Sequence, residues 1–145
     1  MEMSLGLLAD YSNISREGKL NILGIFNIIW GRRFPLTHHS MQLILRLEAH
    51  SPESGTKRQL TIRLDDPDGK NLFQMNAAIL IPKGRPGEPI VMDHVVAFNQ
   101  VQFERAGDHA FNILIDNDLK GAIPLKVMQV APVADESPGG AAGPA

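Results

Sequence analysis

The sequence of 145 residues contains no cysteine. This absence excludes disulfide bonds, thiolate nucleophiles, zinc sites built on cysteine and iron–sulfur clusters. A chain without cysteine also fits a reducing compartment. We therefore expect a cytoplasmic protein whose fold does not depend on covalent cross-links or on a structural metal held by thiolates.

A surplus of basic residues is also missing. The formal net charge is -2 at pH 7, and the isoelectric point is about 6.2. Adjacent basic residues occur only at Arg32-Arg33 and Lys57-Arg58. Proteins that bind a phosphate backbone usually carry a basic surplus or a strong basic cluster. The charge pattern therefore predicts that nucleic acid is not a partner.

Long apolar runs are absent as well. No run approaches the roughly 20 residues that a membrane-spanning helix needs. The first residues, MEMSLGLLADYSN, lack the basic start and the apolar stretch of a signal peptide, and we predict that they are not one. The sequence therefore predicts a soluble protein that does not act at a membrane.

Motifs of catalysis are likewise not found. None of the serines lies in a G-x-S-x-G elbow, and there is no H-E-x-x-H, glycine-rich phosphate loop or dinucleotide fingerprint. The carboxylates occur mostly at turns, whereas a paired-carboxylate mechanism needs two acids that project into a cleft. We therefore predict that the protein is not an enzyme and carries no cofactor.

The chain does contain one long apolar track within residues 5–30. It reads LGLLAD, then the polar connector YSNISREGK, then LNILGIFNIIW. A helix is unfavourable over the last part because of its interior glycine and its β-branched residues. We therefore predict a long central strand over residues 20–30, with the first run as its antiparallel neighbour. Its almost wholly apolar face at strand spacing comprises Leu20, Ile22, Gly24, Phe26, Ile28 and Trp30.

Further alternating or apolar runs follow. Pro67 and Asp68-Gly69, placed between two of them, predict a hairpin. Residues 90–103 are irregular and predict one bulged strand or two short ones, with a short helix over residues 91–98 as an alternative. Pro124 favours an edge strand or the beginning of a strand. The predicted strands cover residues 41–50, 57–65, 71–81, 90–103, 109–115 and 123–127.

Seven to nine strands without a convincing long helix indicate an all-β sandwich or barrel. The turn before His109, with Phe111 two residues later, resembles the corner of immunoglobulin-like domains. His109 would replace the usual aromatic residue, so the corner bond is missing or made by an imidazole N–H. We predict an immunoglobulin-like antiparallel β-sandwich as a single domain over residues 1–131. A flexible tail rich in Pro, Gly and Ala is predicted over residues 132–145.

Acidic turns raise the question of metal binding. The segments DDPDG, at residues 65–69, and DND, at residues 116–118, lack the spacing of an EF-hand, and an up-and-down strand count places them at opposite ends. Imidazoles and carboxylates together could bind a transition metal. The same strand count places six histidines and aspartates at one end of the sandwich, and we interpret this group as a solvated loop rim and predict no metal site. The group comprises His38, His39, Asp65, Asp66, Asp68 and Asp108.

Residues 7–26, LLADYSNISREGKLNILGIF, resemble the signature of an uncharacterised bacterial family that opens with L-A-D-Y/x-N-x-S-x-E-G-K-L-N-x-L-G-I-F. A later Phe-x-x-x-Gly-x-x-x-Phe element of that family is matched by Phe103, Gly107 and Phe111. The resemblance covers residues 5–130. It implies a β-sandwich and a bacterial cytosolic setting, and it supplies no catalytic residue.

The strand predicted over residues 20–30 has apolar side chains on its second face, and something must cover them. Cover could come from this chain, through the loop at residues 82–89 or the segment at residues 90–103. The function that we predict is a non-enzymatic binding or assembly module, with Leu23, Ile25 and Ile29 contacting a protein partner or a second copy. The alternative is a sandwich that binds a small ligand or a metal ion, and a hydrolytic enzyme ranks last.

Overall fold

The computed structural model describes residues 1–131 of the chain. These residues form two packed β-sheets, which confirms the predicted all-β sandwich of seven to nine strands, whereas the immunoglobulin-like detail stays a prediction. The predicted tail, residues 132–145, lies outside the described residues. The strands are β1 (Glu2–Ile14), β2 (Leu20–Phe26), β3 (Ile28–Gly31), β4 (Leu36–Ala49), β5 (Lys57–Asp65), β6 (Asn71–Leu80), β7 (Ile90–Phe103), β8 (Gly107–Ile115) and β9 (Asp118–Gln129).

The core lies between a four-stranded sheet of order β2-β1-β4-β7 and a five-stranded sheet of order β3-β9-β8-β5-β6. Alternate residues of each strand face inward, because successive side chains of a strand point to opposite faces. Each fully buried leucine or phenylalanine contributes about 1.5–3 kcal/mol. The completely buried side chains of β4, β5 and β8 include Met41, Leu43, Leu45, Leu47, Leu64, Phe111 and Ile113.

The prediction of one central strand over residues 20–30 is wrong. The chain leaves the four-stranded sheet after Phe26 and enters the five-stranded sheet as β3, which pairs in parallel with β9. Both β2 and β3 are edge strands. Phe26 packs against the core from one sheet and Ile29 joins it from the other. The residues that face the core have even numbers in β2 and odd numbers in β3, because the chain changes sheets between the two strands. If residues 20–30 are read as one strand, apolar residues therefore occur on both of its faces.

Residues 90–103 form one strand, β7, and not the alternative helix over residues 91–98. Phe98 packs against the core, and Val101 and Phe103 belong to it. The odd spacing between Phe98 and Val101 requires the alternation to shift once. Gln100 has φ of 57° between them, and this residue accounts for the shift. The prediction of a single bulged strand therefore describes β7 better than that of two short strands.

The corner before β8 is held by His109. This residue is 2% exposed, and its ring meets the Phe103 ring edge to face at 5.1 Å between centroids. Its Nδ1 lies 3.1 Å from the carbonyl oxygen of Gly107. A carbonyl oxygen can only accept a hydrogen bond, so the proton resides on Nδ1. An imidazole N–H thus makes a local bond at the corner.

Pro124 lies inside β9, which is an interior strand, so it does not mark an edge strand or the beginning of one. The proline is tolerated because β3 pairs with β9 only from Lys126 onward. At Pro124 the side of β9 away from β8 therefore needs no ladder hydrogen bond. Within residues 1–131, no helix is long and apolar enough to cross a membrane.

Candidate interaction surface

A tight turn closes the β1–β2 hairpin. The Ser15 N–H donates to the Lys19 carbonyl at 2.8 Å, and the Gly18 N–H donates to the Ser15 carbonyl at 2.9 Å. The Lys19 N–H also donates to Ser15 Oγ at 3.0 Å. Gly18 has φ of 85°, a conformation that glycine adopts without a steric penalty. These bonds fix the register of the two strands.

Apolar side chains remain exposed on this hairpin. Leu23 is 68% exposed, Ile25 is 64% exposed and Tyr11 is 53% exposed. Tyr11 lies directly opposite Leu23 in the register, so the two side chains are cross-strand neighbours. Single exposed apolar residues are ordinary, whereas contiguous ones mark contact surfaces. We call Tyr11, Leu23 and Ile25 the hairpin patch.

Two of the three residues predicted for the interface therefore lie at the surface, and the third does not. Ile29 is 5% exposed, belongs to the core and pairs with Val127 of β9. The prediction that Ile29 is available to a partner is wrong, because the crossover at Asn27 turns its side chain inward. Tyr11 was missed. Placing the turn at Gly18 in the sequence would have put Tyr11 opposite Leu23.

The edge that carries the hairpin patch is uncharged. Residues 20–31, which include both β2 and β3, contain no Asp, Glu, Lys or Arg. Natural proteins usually protect an edge strand with charges, prolines or bulges. Here Gly24 has φ of 73°, and a side chain at this position would collide with the Asp10 carboxylate. The edge thus offers exposed apolar side chains without neighbouring charges, although Gly24 interrupts its extended backbone.

A cleft of about 300 Å³ opens beside the patch. It forms because β3 covers only the end of β9, so β1 and the first part of β9 face each other without a strand between them. Ile25 belongs both to the hairpin patch and to the wall of this cleft. The cleft is mainly apolar and is lined by Gly6, Leu7, Leu8, Ile25, Phe26, Asn27, Ile123 and Pro124.

The predicted group of histidines and aspartates divides among different neighbours. His38 packs on Phe26, with 5.8 Å between ring centroids. Burial lowers the pKa of His38, although the nearby Asp10 carboxylate opposes the change. His39 Nδ1 lies 3.3 Å from Gln100 Nε2. The two imidazoles therefore serve separate contacts on the four-stranded sheet.

The aspartates of the same group are held by other side chains. Asp65 Oδ2 accepts a hydrogen bond from Asn112 Nδ2 at 2.6 Å. Arg105 lies 3.7 Å from Asp66 and also contacts Asp68. Asp108 is exposed at the beginning of β8. Within residues 1–131, no three His, Cys, Asp or Glu side chains converge on a point where they could hold a metal ion.

The second acidic segment lies at the opposite end of β5, as the strand count predicted. Asp116 Oδ1 accepts a hydrogen bond from the Gln59 N–H at 2.9 Å, near the beginning of β5. Its Oδ2 accepts one from Arg58 Nη1 at 3.0 Å. These bonds and the positive charge of Arg58 lower the pKa of Asp116. The carboxylate therefore closes a turn and neutralises an arginine.

Comparisons with known proteins give a family and little more. A search of curated proteins found no match. Among solved structures the chain is similar to Pseudomonas fluorescens alkylpurine DNA glycosylase AlkC bound to DNA containing an abasic site analog, with 12% identity and a TM-score of 0.42. That match covers 70% of this chain and 27% of the other, and at such a TM-score it carries no argument about function.

The family comparison covers nearly all of the sandwich. A family model described as "Family of unknown function (DUF6941)" matches residues 4–128, from β1 to the end of β9. The prediction of an uncharacterised family is thereby confirmed. The chain belongs to the family of unknown function DUF6941.

Proposed function

We propose that this chain is a non-enzymatic binding or assembly module that acts through protein–protein contacts, with the hairpin patch as its contact surface. The observation that carries the proposal is the exposure of Leu23 and Ile25, at 68% and 64%, on an edge without charged residues. Burying an aliphatic side chain of this size contributes up to about 1.5–3 kcal/mol. A few such anchors supply most of the binding energy of an interface.

The proposed partner is another protein or a second copy of this chain. Within residues 1–131, neither the loop at residues 82–89 nor any other segment covers Leu23 and Ile25, so cover from the described chain does not account for their apolar character. A partner with an apolar face would match the exposed side chains of the patch.

The experiment replaces Leu23 or Ile25 by glutamate. We expect Leu23→Glu and Ile25→Glu to remain folded, because both sites are exposed. If the partner is another protein, the variants should no longer retain the protein that the wild type retains from its native host. If the partner is a second copy, the variants should lose the additional mass of the oligomer. Affinity purification and light scattering after size exclusion measure these outcomes. Leu119→Glu is the matched control, since Leu119 is an exposed leucine of β9, at 58%, outside the patch.

Two results would contradict the proposal. In the first, both glutamate variants keep the mass and the retained proteins of the wild type. In the second, both variants aggregate or unfold while Leu119→Glu does not, which would mark the two positions as core. Circular dichroism and a thermal melt of each variant separate loss of binding from loss of structure.

One observation favours the alternative function, the binding of a small ligand. The cleft beside Ile25 is mainly apolar and, at about 300 Å³, reaches the lower end of the range of ligand pockets. Thermal stabilisation by an apolar compound, in the absence of any protein partner, would support this alternative over the contact surface. Binding of a metal ion has no comparable support among residues 1–131.

We also infer an immunoglobulin-like sandwich in the cytoplasm that works as an oligomer or in complex with another protein. The imidazole bond at the His109 corner supports the first part, because immunoglobulin-like domains close this corner with a local hydrogen bond. The lack of cysteine supports a reducing compartment. The uncharged edges support association.

A further inference from the structure

The sandwich is open on the side where β6 and β7 lie. β6 is the last strand of the five-stranded sheet, and β7 is the last strand of the four-stranded sheet. Met75 of β6 lies opposite Ile62, a core residue of β5, so its side chain belongs to the inward face. It is nevertheless 37% exposed. The opening therefore makes part of the inward face of β6 accessible from outside.

A cleft of about 380 Å³ occupies this opening. Its volume lies within the range of pockets that hold small ligands. The lining combines apolar and aromatic side chains with amide side chains, and it contains no charged residue. Such a combination is typical of sites that bind an uncharged molecule. The lining residues are Leu72, Phe73, Met75, Phe98, Asn99, Gln100, Val101 and Gln102.

Phe73 and Phe98 form an aromatic floor in the cleft. Their ring centroids are 5.2 Å apart, and the ring planes are inclined at 46°. Phe98 stacks on Phe111, with 5.5 Å between the ring centroids, and Phe111 is completely buried. The floor is therefore anchored to the core. Both of its rings are only partly buried, so each keeps surface that a ligand can reach.

Three amide side chains of β7 form the rim of the cleft. Asn99, Gln100 and Gln102 are all exposed, so their amide groups are accessible. Gln100 Nε2 donates a hydrogen bond to His39 Nδ1 at 3.3 Å. Gln100 has φ of 57°, which is uncommon for a residue with a side chain. Strained residues of this kind cluster at sites that hold ligands.

We infer that this cleft binds the ring of a neutral sugar. A pyranose ring carries C–H groups on its faces and hydroxyl groups around its edge. The C–H groups match the aromatic floor, because the face of a phenyl ring carries partial negative charge. The hydroxyl groups match the amide rim, because hydroxyls and amides both donate and accept hydrogen bonds. This site stands apart from the hairpin patch, which lies on the opposite side of the sandwich.

The lack of charge in the lining selects a neutral sugar over a sugar phosphate or a nucleotide. An anion that leaves water needs a cationic partner in its site, and this cleft supplies none. Other clefts of the described chain differ in composition. Those beside Arg58 and Arg63 are lined by charged residues, whereas the cleft beside the hairpin patch contains the single amide side chain of Asn27.

The test is saturation-transfer NMR on the full chain with glucose, galactose, mannose, N-acetylglucosamine and maltotriose. We expect transfer from the protein to the ring C–H protons of at least one of these sugars. A free sugar and the end of a longer carbohydrate present the same ring. Tighter binding of maltotriose than of glucose would identify the longer carbohydrate as the source, and the reverse order would identify the free sugar.

Variants locate the binding. Asn99→Ala and Gln102→Ala should each raise the Kd about fivefold, the effect of one neutral hydrogen bond, and both should melt as the wild type does. Phe73→Leu keeps an apolar side chain but removes the ring, and it should abolish the transfer. Gln74→Ala is the matched control, because Gln74 is an exposed amide of β6 opposite Arg63, on the outer face. This variant should bind as the wild type does.

Other outcomes overturn the inference. They are a wild type without transfer to any of these sugars, binding that is unchanged in both amide variants, and an equal loss of binding in Gln74→Ala. Binding of adenosine without binding of a sugar would assign the cleft to a nucleobase instead. If Phe73→Leu unfolds in a thermal melt, the two amide variants decide alone. Leu23→Glu should keep the transfer, so failure of the hairpin patch and failure of this site are distinguishable.

Discussion

His38 and His94 direct polar imidazole atoms into apolar surroundings. In each residue Nε2 is buried and has no hydrogen-bond partner in the described chain. His94 lies opposite Leu45, whose side chain is fully buried. Burial lowers the pKa of both histidines, and the charges of Asp10 and Asp93 offset this effect only in part. Both imidazoles are therefore neutral in the folded protein near pH 7.

A pH dependence of stability follows from these two residues. The pKa of an unfolded histidine is about 6.5, and the folded values lie lower. As the pH falls through this window, the unfolded chain binds protons that the folded chain does not. The free energy of unfolding should therefore decrease from about pH 7.5 to about pH 5.5 in urea titrations. Above about pH 7.5 the two histidines contribute no slope.

Variants test the assignment. The double variant His38→Phe with His94→Leu should show a smaller decrease in stability over this range than the wild type, whereas His50→Gln, at an exposed position, should match the wild type. The aspartates with lowered pKa, among them Asp66 and Asp116, lose their contribution only near and below about pH 4. A wild type whose free energy of unfolding is equal at about pH 7.5 and at about pH 5.5 would refute this account of the histidines.

Single strands were predictable from the pattern of their residues. The bounds of β5, where alternation is regular, agree with those read from the sequence, and β6 differs by one residue. The bounds of β7 agree as well, although its alternation shifts at Gln100. β4 begins at Leu36, five residues before the predicted strand, because Pro35 and the polar segment THHS read as a loop. Its first residue is paired with Phe103 of β7, a contact that is distant in the sequence and leaves no local signal.

The division of residues 20–30 between two sheets leads to a direct prediction at the scale of the element. Ile29→Ala should lower the free energy of unfolding by about 2–5 kcal/mol, as other core truncations do. Ile25→Ala should change it by no more than about 0.5 kcal/mol, because the side chain is exposed. Chemical denaturation of the two variants measures this contrast. Equal decreases in the free energy of unfolding at the two positions would instead support the single central strand that the sequence predicts over residues 20–30.

For the whole molecule, the sequence predicts the class of fold but not the order of the strands. Periodicity reports which residues face inward, and it does not report which strand is the neighbour. The parallel pairing of β3 with β9 joins Ile28 to Lys126, and no local pattern encodes it. The candidate site shows the same limit. Of the three residues predicted for the interface, Leu23 and Ile25 lie at the surface, whereas Ile29 is buried, because its orientation depends on the crossover.

The distribution of charge is another property of the whole molecule. Charged residues lie mainly on the interior strands, such as Arg46 of β4 and Arg63 of β5, and are absent from β2, β3 and β6. Soluble monomers usually show the reverse, with charges on their edges. One of these uncharged edges, that of β2, carries the hairpin patch.

The most direct measurement of the central claim, that the hairpin patch is a protein contact surface, is amide hydrogen exchange in β2. It compares the protein purified together with its bound partner with the Leu23→Glu variant. We expect slow exchange over residues 20–26 in the wild type and fast exchange in the variant, with equal exchange in β5 as the internal reference. Equal exchange over residues 20–26 in both proteins would contradict the claim.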